Sequence, residues 1–220
     1  MSPESVELFD NIADHYEKFN LLASFGIERL WRKKLKKFVA GSDNLILDLG
    51  AGTGVFSDFV KERGKVIGLE PSYKMIKIGR GKREFINYVR GEGENLPFKD
   101  NTFDYVISAY VMRNLKNLKV TLGDISRVLR PGGKLIILEF FPPKNKIYNY
   151  FFKIYLGKIT PFLYKLIKGS SLPVKYFSES IFKFMKDCEF SDLLVNKGFV
   201  KIKVKKLVFG ISVYIIGRKN

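Results

Sequence analysis

One cysteine, Cys188, and one histidine, His15, stand among 220 residues. A lone thiol excludes an intramolecular disulfide and suits a reducing cytoplasm. No stretch nears the roughly 20 uncharged apolar residues of a membrane span. The polar start, with Glu4, Glu7 and Asp10, speaks against a secretory leader. Internal repeats and low-complexity tracts are absent. Acid is also scarce, with 22 Asp and Glu against 39 Lys and Arg, a formal charge of +17. The imbalance is uneven: basic to acidic counts are 7 to 6 over residues 1–40, 16 to 12 over 41–141 and 16 to 4 over 142–220. Such a surplus attracts an anionic membrane surface or nucleic acid, or is a lysine-rich solvated surface and nothing more. Nucleic acid is the least favoured partner, because no RNA-binding motif accompanies the lysines. A hydrophobic content of 46% and a mean hydropathy of −0.05 fit a globular protein of single-domain size.

Against these absences stands one rich stretch. Leu45-Ile46-Leu47-Asp48-Leu49-Gly50-Ala51-Gly52-Thr53-Gly54 reads as a buried strand, a glycine turn and a helix start, and Glu70 closes the next apolar run. Gly50 and Gly52 let backbone approach a ligand without a Cβ in the way. A carboxylate at the neighbouring strand tip can accept two hydrogen bonds from a ribose diol. The pattern points to an adenosine-containing ligand at the carboxyl edge of a parallel sheet. A dinucleotide fingerprint would need glycine at position 55, which is Val55, and a P-loop would need Gly-Lys-Ser/Thr. A glycine turn alone serves any strand–helix junction equally well.

Elsewhere the rhythm is strand and helix in alternation. Ser2-Pro3 reads as an N-cap and first helical residue, and Val6, Phe9, Ile12, Ala13 and Tyr16 follow at helical spacing. Ile27, Leu30, Trp31, Leu35 and Phe38 predict a second helix, stopping at Ala40-Gly41. Strands are expected at 44–49, 65–70, 86–90, 104–109 and 133–140, with helices near 54–63, 72–82 and 117–129. Their alternation implies right-handed crossovers and a parallel sheet. Arg130-Pro131-Gly132-Gly133 reads as a turn. The short link Val208–Gly210 between two terminal apolar runs allows only an antiparallel reversal. Residues 141–176 break the pattern, with Tyr148, Tyr150, Phe151, Phe152, Tyr155, Phe162 and Tyr164 among lysines. We expect a helical lid packed over the sheet, its aromatics forming the pocket roof; the segment could also lie in a membrane interface, its lysines snorkelling.

The Gly-x-Gly-x-Gly spacing resembles the first motif of class I S-adenosylmethionine-dependent methyltransferases. Over nearly its whole length, most weakly at 141–175, the chain resembles the ubiquinone/menaquinone biosynthesis C-methyltransferase family. The resemblance rests on Phe9-Asp10-Asn11-Ile12-Ala13, on Ser24–Arg32, on Glu94–Asp104, on Arg113-Asn114 and on Tyr176–Ile181. It implies a Rossmann-like, mostly parallel seven-stranded sheet with an antiparallel last strand. It implies one domain over 1–220: a helical preface (1–41), a cofactor-binding core (42–140), a lid or acceptor insertion (141–185) and a C-terminal helix with antiparallel strands (186–220). S-adenosyl-L-methionine is the implied cofactor and a lipophilic quinol the implied acceptor. For cofactor binding the resemblance nominates Asp48 on the methionine amine side, the backbone of Gly50, Ala51, Gly52, Thr53 and Gly54, and Glu70 on the ribose. Pro71, Met75 and Ser108 join them, with Glu92 and Gly93 at the adenine. Arg113 is the expected phenolate stabiliser or water-orienting group, unless it is tied up in a salt bridge. His15 is a candidate proton acceptor and Tyr16 a candidate pocket residue, as is Tyr110; structural roles suit all three as well. No metal site is expected.

The chain also departs from the family pattern. Val111 stands where a glycine is usual, and we expect its bulk beside the acceptor pocket. Glu92 and Glu17 replace the usual residues, and a histidine near the C-terminus is missing. Peripheral membrane contact through 144–168 and a homodimer stay open, as do another small lipophilic acceptor, an RNA substrate and a non-catalytic role.

Overall fold

The computed structural model describes residues 3–168 and 172–220; Ser2 lies outside them. The preface comprises α1 (Pro3–Ile12), α2 (Tyr16–Ala23) and α3 (Ile27–Leu35). The periodicity that predicts one helix through Tyr16 is interrupted by a 3-10 turn at Ala13–His15. That turn lets the Tyr16 ring meet Phe9 edge to face at 6.2 Å. Asp10 latches α1 to the core by accepting from Ser72 Oγ at 2.5 Å and Lys74 N at 3.2 Å.

Strands β1 (Asn44–Leu49), β2 (Gly64–Glu70), β3 (Asn87–Arg90), β4 (Phe103–Ala109), β5 (Leu129–Phe140), β6 (Phe199–Leu207) and β7 (Ser212–Lys219) form one sheet. Its order is β3-β2-β1-β4-β5-β7-β6, with β7 antiparallel to both neighbours and the remaining pairs parallel. The Rossmann-like class with a reversed last strand is therefore the fold observed. Crossovers run through α4 (Val55–Val60), α5 (Tyr73–Lys82) and α6 (Leu118–Val128). After β5 come α7 (Lys146–Ile154), a π-helical turn at Tyr155–Ile159, α8 (Thr160–Lys168), α9 (Leu172–Lys183) and α10 (Asp187–Asn196).

Central parallel strands are covered on both faces, which is why they read as continuous apolar runs. Leu47, Leu49, Val106, Leu135 and Ile137 pack beneath α6 and α10, with Ile125, Phe190 and Leu194. Ile46, Ile107, Ile136 and Leu138 face the other way, against Leu35, Phe56 and Val60. Leu30, read as part of the apolar stripe, is exposed instead. The Arg130–Gly133 turn proves to be a bulge inside β5: Phe103 pairs with Leu129 and Tyr105 with Lys134, and the surplus residues are taken up where Gly132 has φ +79°. The edge strand β6 carries exposed Lys201, Lys203, Lys205 and Lys206. Charge on an edge opposes addition of a foreign strand, so part of the C-terminal lysine surplus serves the sheet.

Candidate active site

Strand order reverses between β1 and β4, and a crevice opens at the carboxyl ends there, as expected of a doubly wound sheet. Gly50, Gly52, Glu70, Met75 and Asn114 line it, with Phe9, Tyr16, Tyr110 and Val111 closing it. Its volume is about 30 Å³, room for only a few waters. Glu70 is buried at the tip of β2. It accepts from Gly52 N on Oε2 and from Ser72 N on Oε1, both at 2.9 Å. Burial outweighs these bonds and pushes its carboxyl up to about 7. Each oxygen keeps a lone pair for a ribose hydroxyl. At Gly52 (φ +56°) an added Cβ would meet only Tyr16 Cε1, at 3.9 Å, so bare backbone faces the crevice.

The other nominated residues also make contacts within the scaffold. Asp48 lines neither cavity described here; its Oδ2 accepts from Ser57 N at 3.1 Å and Ser57 Oγ at 2.6 Å, tying β1 to α4. Burial raises its carboxyl to about 6. A Cβ at Gly54 would strike Ile86 at 2.3 Å and Tyr88 Oη at 2.8 Å, so packing alone already requires a glycine here. The Ala51 side chain packs with Ile76, Ile86 and Tyr88. Ser108 Oγ donates to Leu49 O at 2.9 Å. Thr53 is buried, its carbonyl accepting from Arg83 at 2.9 Å, and the Pro71 carbonyl accepts from Arg90 Nε at 3.1 Å. Glu92 pairs with Lys116 at 3.5 Å, and Gly93 packs near Leu115 and Thr121. Like Asp48, these last two line neither cavity.

Beside the crevice lies a chamber of about 450 Å³, walled mainly by aromatic and aliphatic side chains of α1–α3, α7, the π turn, α9 and the β6–β7 turn. Phe9, Tyr16 and Tyr110 line both spaces and form the partition between them. Burial raises the Tyr16 phenol, which Arg32 and Arg113 oppose. Tyr110 takes φ +65° and stacks on Phe140 at 4.3 Å.

Arg113 reaches the chamber wall and is also buried in a salt bridge. Its Nη1 lies 2.5 Å from Glu139 Oε1, Nη1 also donates to Tyr110 O at 2.8 Å, and Nε donates to Ser180 Oγ at 3.2 Å. The salt bridge is thus observed, and the same guanidinium borders the chamber. Val111 corrects an expectation: it lines the crevice, not the chamber. Its methyls lie 2.5 and 2.8 Å from where a Gly50 Cβ would be, so its bulk falls on the nucleoside side. His15 lines neither space. The aromatics of 141–176 divide: Phe152 and Tyr164 are buried, whereas Tyr150, Phe151 and Phe162 are 63%, 62% and 62% exposed. Sequence reasoning also passed over Glu28 and Arg32, a buried i,i+4 ion pair facing the chamber. The readable signal was a carboxylate and a guanidinium one turn apart on the stripe that carries Leu35.

A carboxylate positioned for a diol, open backbone at Gly52 and the apolar flank of Met75 are groups suited to the nucleoside of S-adenosylmethionine, which a crevice of about 30 Å³ admits only by widening. With the reversed last strand and the adjoining lipophilic chamber, they define a class I S-adenosylmethionine-dependent methyltransferase. The model of the ubiE/COQ5 methyltransferase family matches residues 2–219, and the chain belongs to that family. It is 32% identical over 223 residues to demethylmenaquinone methyltransferase of Staphylococcus haemolyticus, covering 97% of this chain and 92% of that one. It is 34% identical over 224 residues to the ubiquinone/menaquinone biosynthesis C-methyltransferase UbiE of Francisella tularensis subsp. novicida, covering 96% and 89%. A Thermotoga maritima structure described as a SAM-dependent methyltransferase, possible histamine N-methyltransferase, superposes with a TM-score of 0.71 at 23% identity, over 97% of this chain and 99% of that one. It shares the fold.

Proposed function

We propose that this methyltransferase transfers a methyl group to a ring carbon of a demethyl-quinol in respiratory quinone biosynthesis, with the acceptor's isoprenoid tail in the chamber. The observation that carries this reading is the large apolar space, walled by Arg113 and separated from the nucleoside crevice only by Phe9, Tyr16 and Tyr110. S-adenosylmethionine held by these crevice residues would supply an electrophilic methyl whose sulfur keeps the bonding pair, and the ring carbon that accepts it would release its own proton to water as aromaticity returns. That carbon is nucleophilic when the adjacent hydroxyl is ionised. Arg113, permanently charged, stabilises the oxyanion or orients a proton-accepting water but cannot take the proton itself. Glu139 holds its guanidinium in place. The Tyr16 phenol, raised by burial, stays protonated and can donate a hydrogen bond across the partition. Holding both reactants in line contributes up to ~7–11 kcal/mol. Glu70 and Gly52 hold the ribose side, and His15 is assigned no part.

The chamber's rim supports docking on the cytoplasmic face of an anionic membrane. Phe25, Phe151 and Phe209 line the chamber while being 74%, 62% and 68% exposed, and exposed Lys146, Lys153 and Lys158 accompany them. Among the described residues no helix is long and apolar enough to cross a membrane, so a tail would be drawn in from the surface. Two measurements test the function: methyl transfer to short-tailed demethyl-quinols by the purified protein, and the quinones of cells lacking it. Accumulation of a demethyl-quinone is expected; normal quinones together with an inactive protein would refute the proposal.

A further inference from the structure

Arg32 faces the chamber, and its Nε has no partner. Its side chain is buried. Glu28, one turn earlier, holds its Nη1, and its guanidinium carbon lies 5.4 Å from the Tyr110 ring centroid. Its Nε is buried and has no hydrogen-bond partner. An unsatisfied buried N–H is unfavourable, and a buried ion pair in an apolar wall brings little stability of its own. Both features make sense if a ligand oxygen completes the site. Arg32 lines the chamber and not the crevice, where an acceptor oxygen can reach it, and its charge also reaches Asp48 on the nucleoside side.

Arg113 occupies the same wall, its guanidinium carbon 5.7 Å from the Phe140 ring that stacks on Tyr110. The Tyr16 phenol feels both guanidinium charges. A flat ring with two oxygens on opposite edges offers an acceptor to each arginine. We infer that Arg32 donates from Nε to the acceptor's second ring oxygen, the one remote from the methylated carbon, and so selects two-oxygen rings over one-oxygen rings. This rests on the quinol reading above; Arg113 serves the oxygen next to the reacting carbon.

The test compares a short-prenyl demethyl-naphthoquinol with the matched naphthol that lacks the remote oxygen. Arg32→Lys keeps a cation beside Glu28 while removing the Nε donor. The double variant Glu28→Gln/Arg32→Gln leaves no orphaned charge and provides the same readout should the lysine variant fold poorly. For each variant we expect KM for the quinol to rise about tenfold or more, the size of a lost hydrogen bond from a charged donor. KM for the naphthol should match wild type, and S-adenosylmethionine affinity by calorimetry should hold. Equal KM shifts for both acceptors, or none, overturn the inference. Lost S-adenosylmethionine affinity overturns it as well, since Arg32 would then serve the methionine carboxylate. A wild-type protein that methylates neither acceptor would instead refute the quinol reading itself, and this inference with it.

Discussion

Glu70 is a carboxylate kept where ionisation is unfavourable. Burial raises it to about 7 and Asp48 to about 6, above their unfolded values of 4.5 and 3.8. Between those limits the folded chain holds protons that the unfolded chain has released, so stability falls as pH rises through the window. The thermal midpoint should drop from about pH 5 to about pH 7, and Glu70→Gln should flatten the upper part of that slope. Glu70→Ala should weaken S-adenosylmethionine binding roughly 10- to 100-fold by calorimetry, as loss of hydrogen bonds to a charged group implies. Arg113→Ala acts on two properties at once. Turnover should collapse while cofactor affinity holds, and chemical denaturation should register a loss of about 3–5 kcal/mol from the stranded Glu139. Stability unchanged would mean that the salt bridge does not persist in solution.

Among the elements, the turn at Ala13–His15 and the π turn at Tyr155–Ile159 do what no periodicity announces: each redirects a helix toward the chamber. The Tyr155 hydroxyl donates to Ala23 O and Phe19 meets Tyr164 at 5.0 Å, so preface and post-β5 helices close on each other. Contacts of this kind join positions more than a hundred residues apart, and spacing along the chain carries no trace of them. Val111 is the same lesson: the left-handed Tyr110 swings it toward Gly50, which the motif alone could not indicate. Three exposed rings at the chamber mouth belong to three separate segments. The triple variant Phe25→Ser/Phe151→Ser/Phe209→Ser should lose most binding to vesicles containing phosphatidylglycerol in a sedimentation assay, and added salt should weaken the wild type. Vesicle binding unaltered by the triple change would place the contact elsewhere.

At the scale of the molecule, the sheet was the most legible part. Central strands bury both faces, so runs such as Leu45-Ile46-Leu47 and Leu135-Ile136-Ile137-Leu138 mark themselves, and the tight Val208–Gly210 link fixed the reversed last pair. Less legible was how tightly the glycine turn is packed, because the space a Gly54 side chain would take is filled by Ile86 and Tyr88 from some thirty positions away. The core beneath α6 and α10 is one continuous cluster. Phe190→Ala, at its centre, should cost about 3–5 kcal/mol in urea unfolding and lower cofactor affinity little, since α10 supplies nothing to the crevice.

Phe9, Tyr16 and Tyr110 stand between the two rooms, so spent donor and long-tailed guest would rest on opposite sides of one wall. Demethylated nucleoside product should therefore compete with fresh donor and leave the acceptor's occupancy untouched, a pattern that initial-rate inhibition kinetics would reveal.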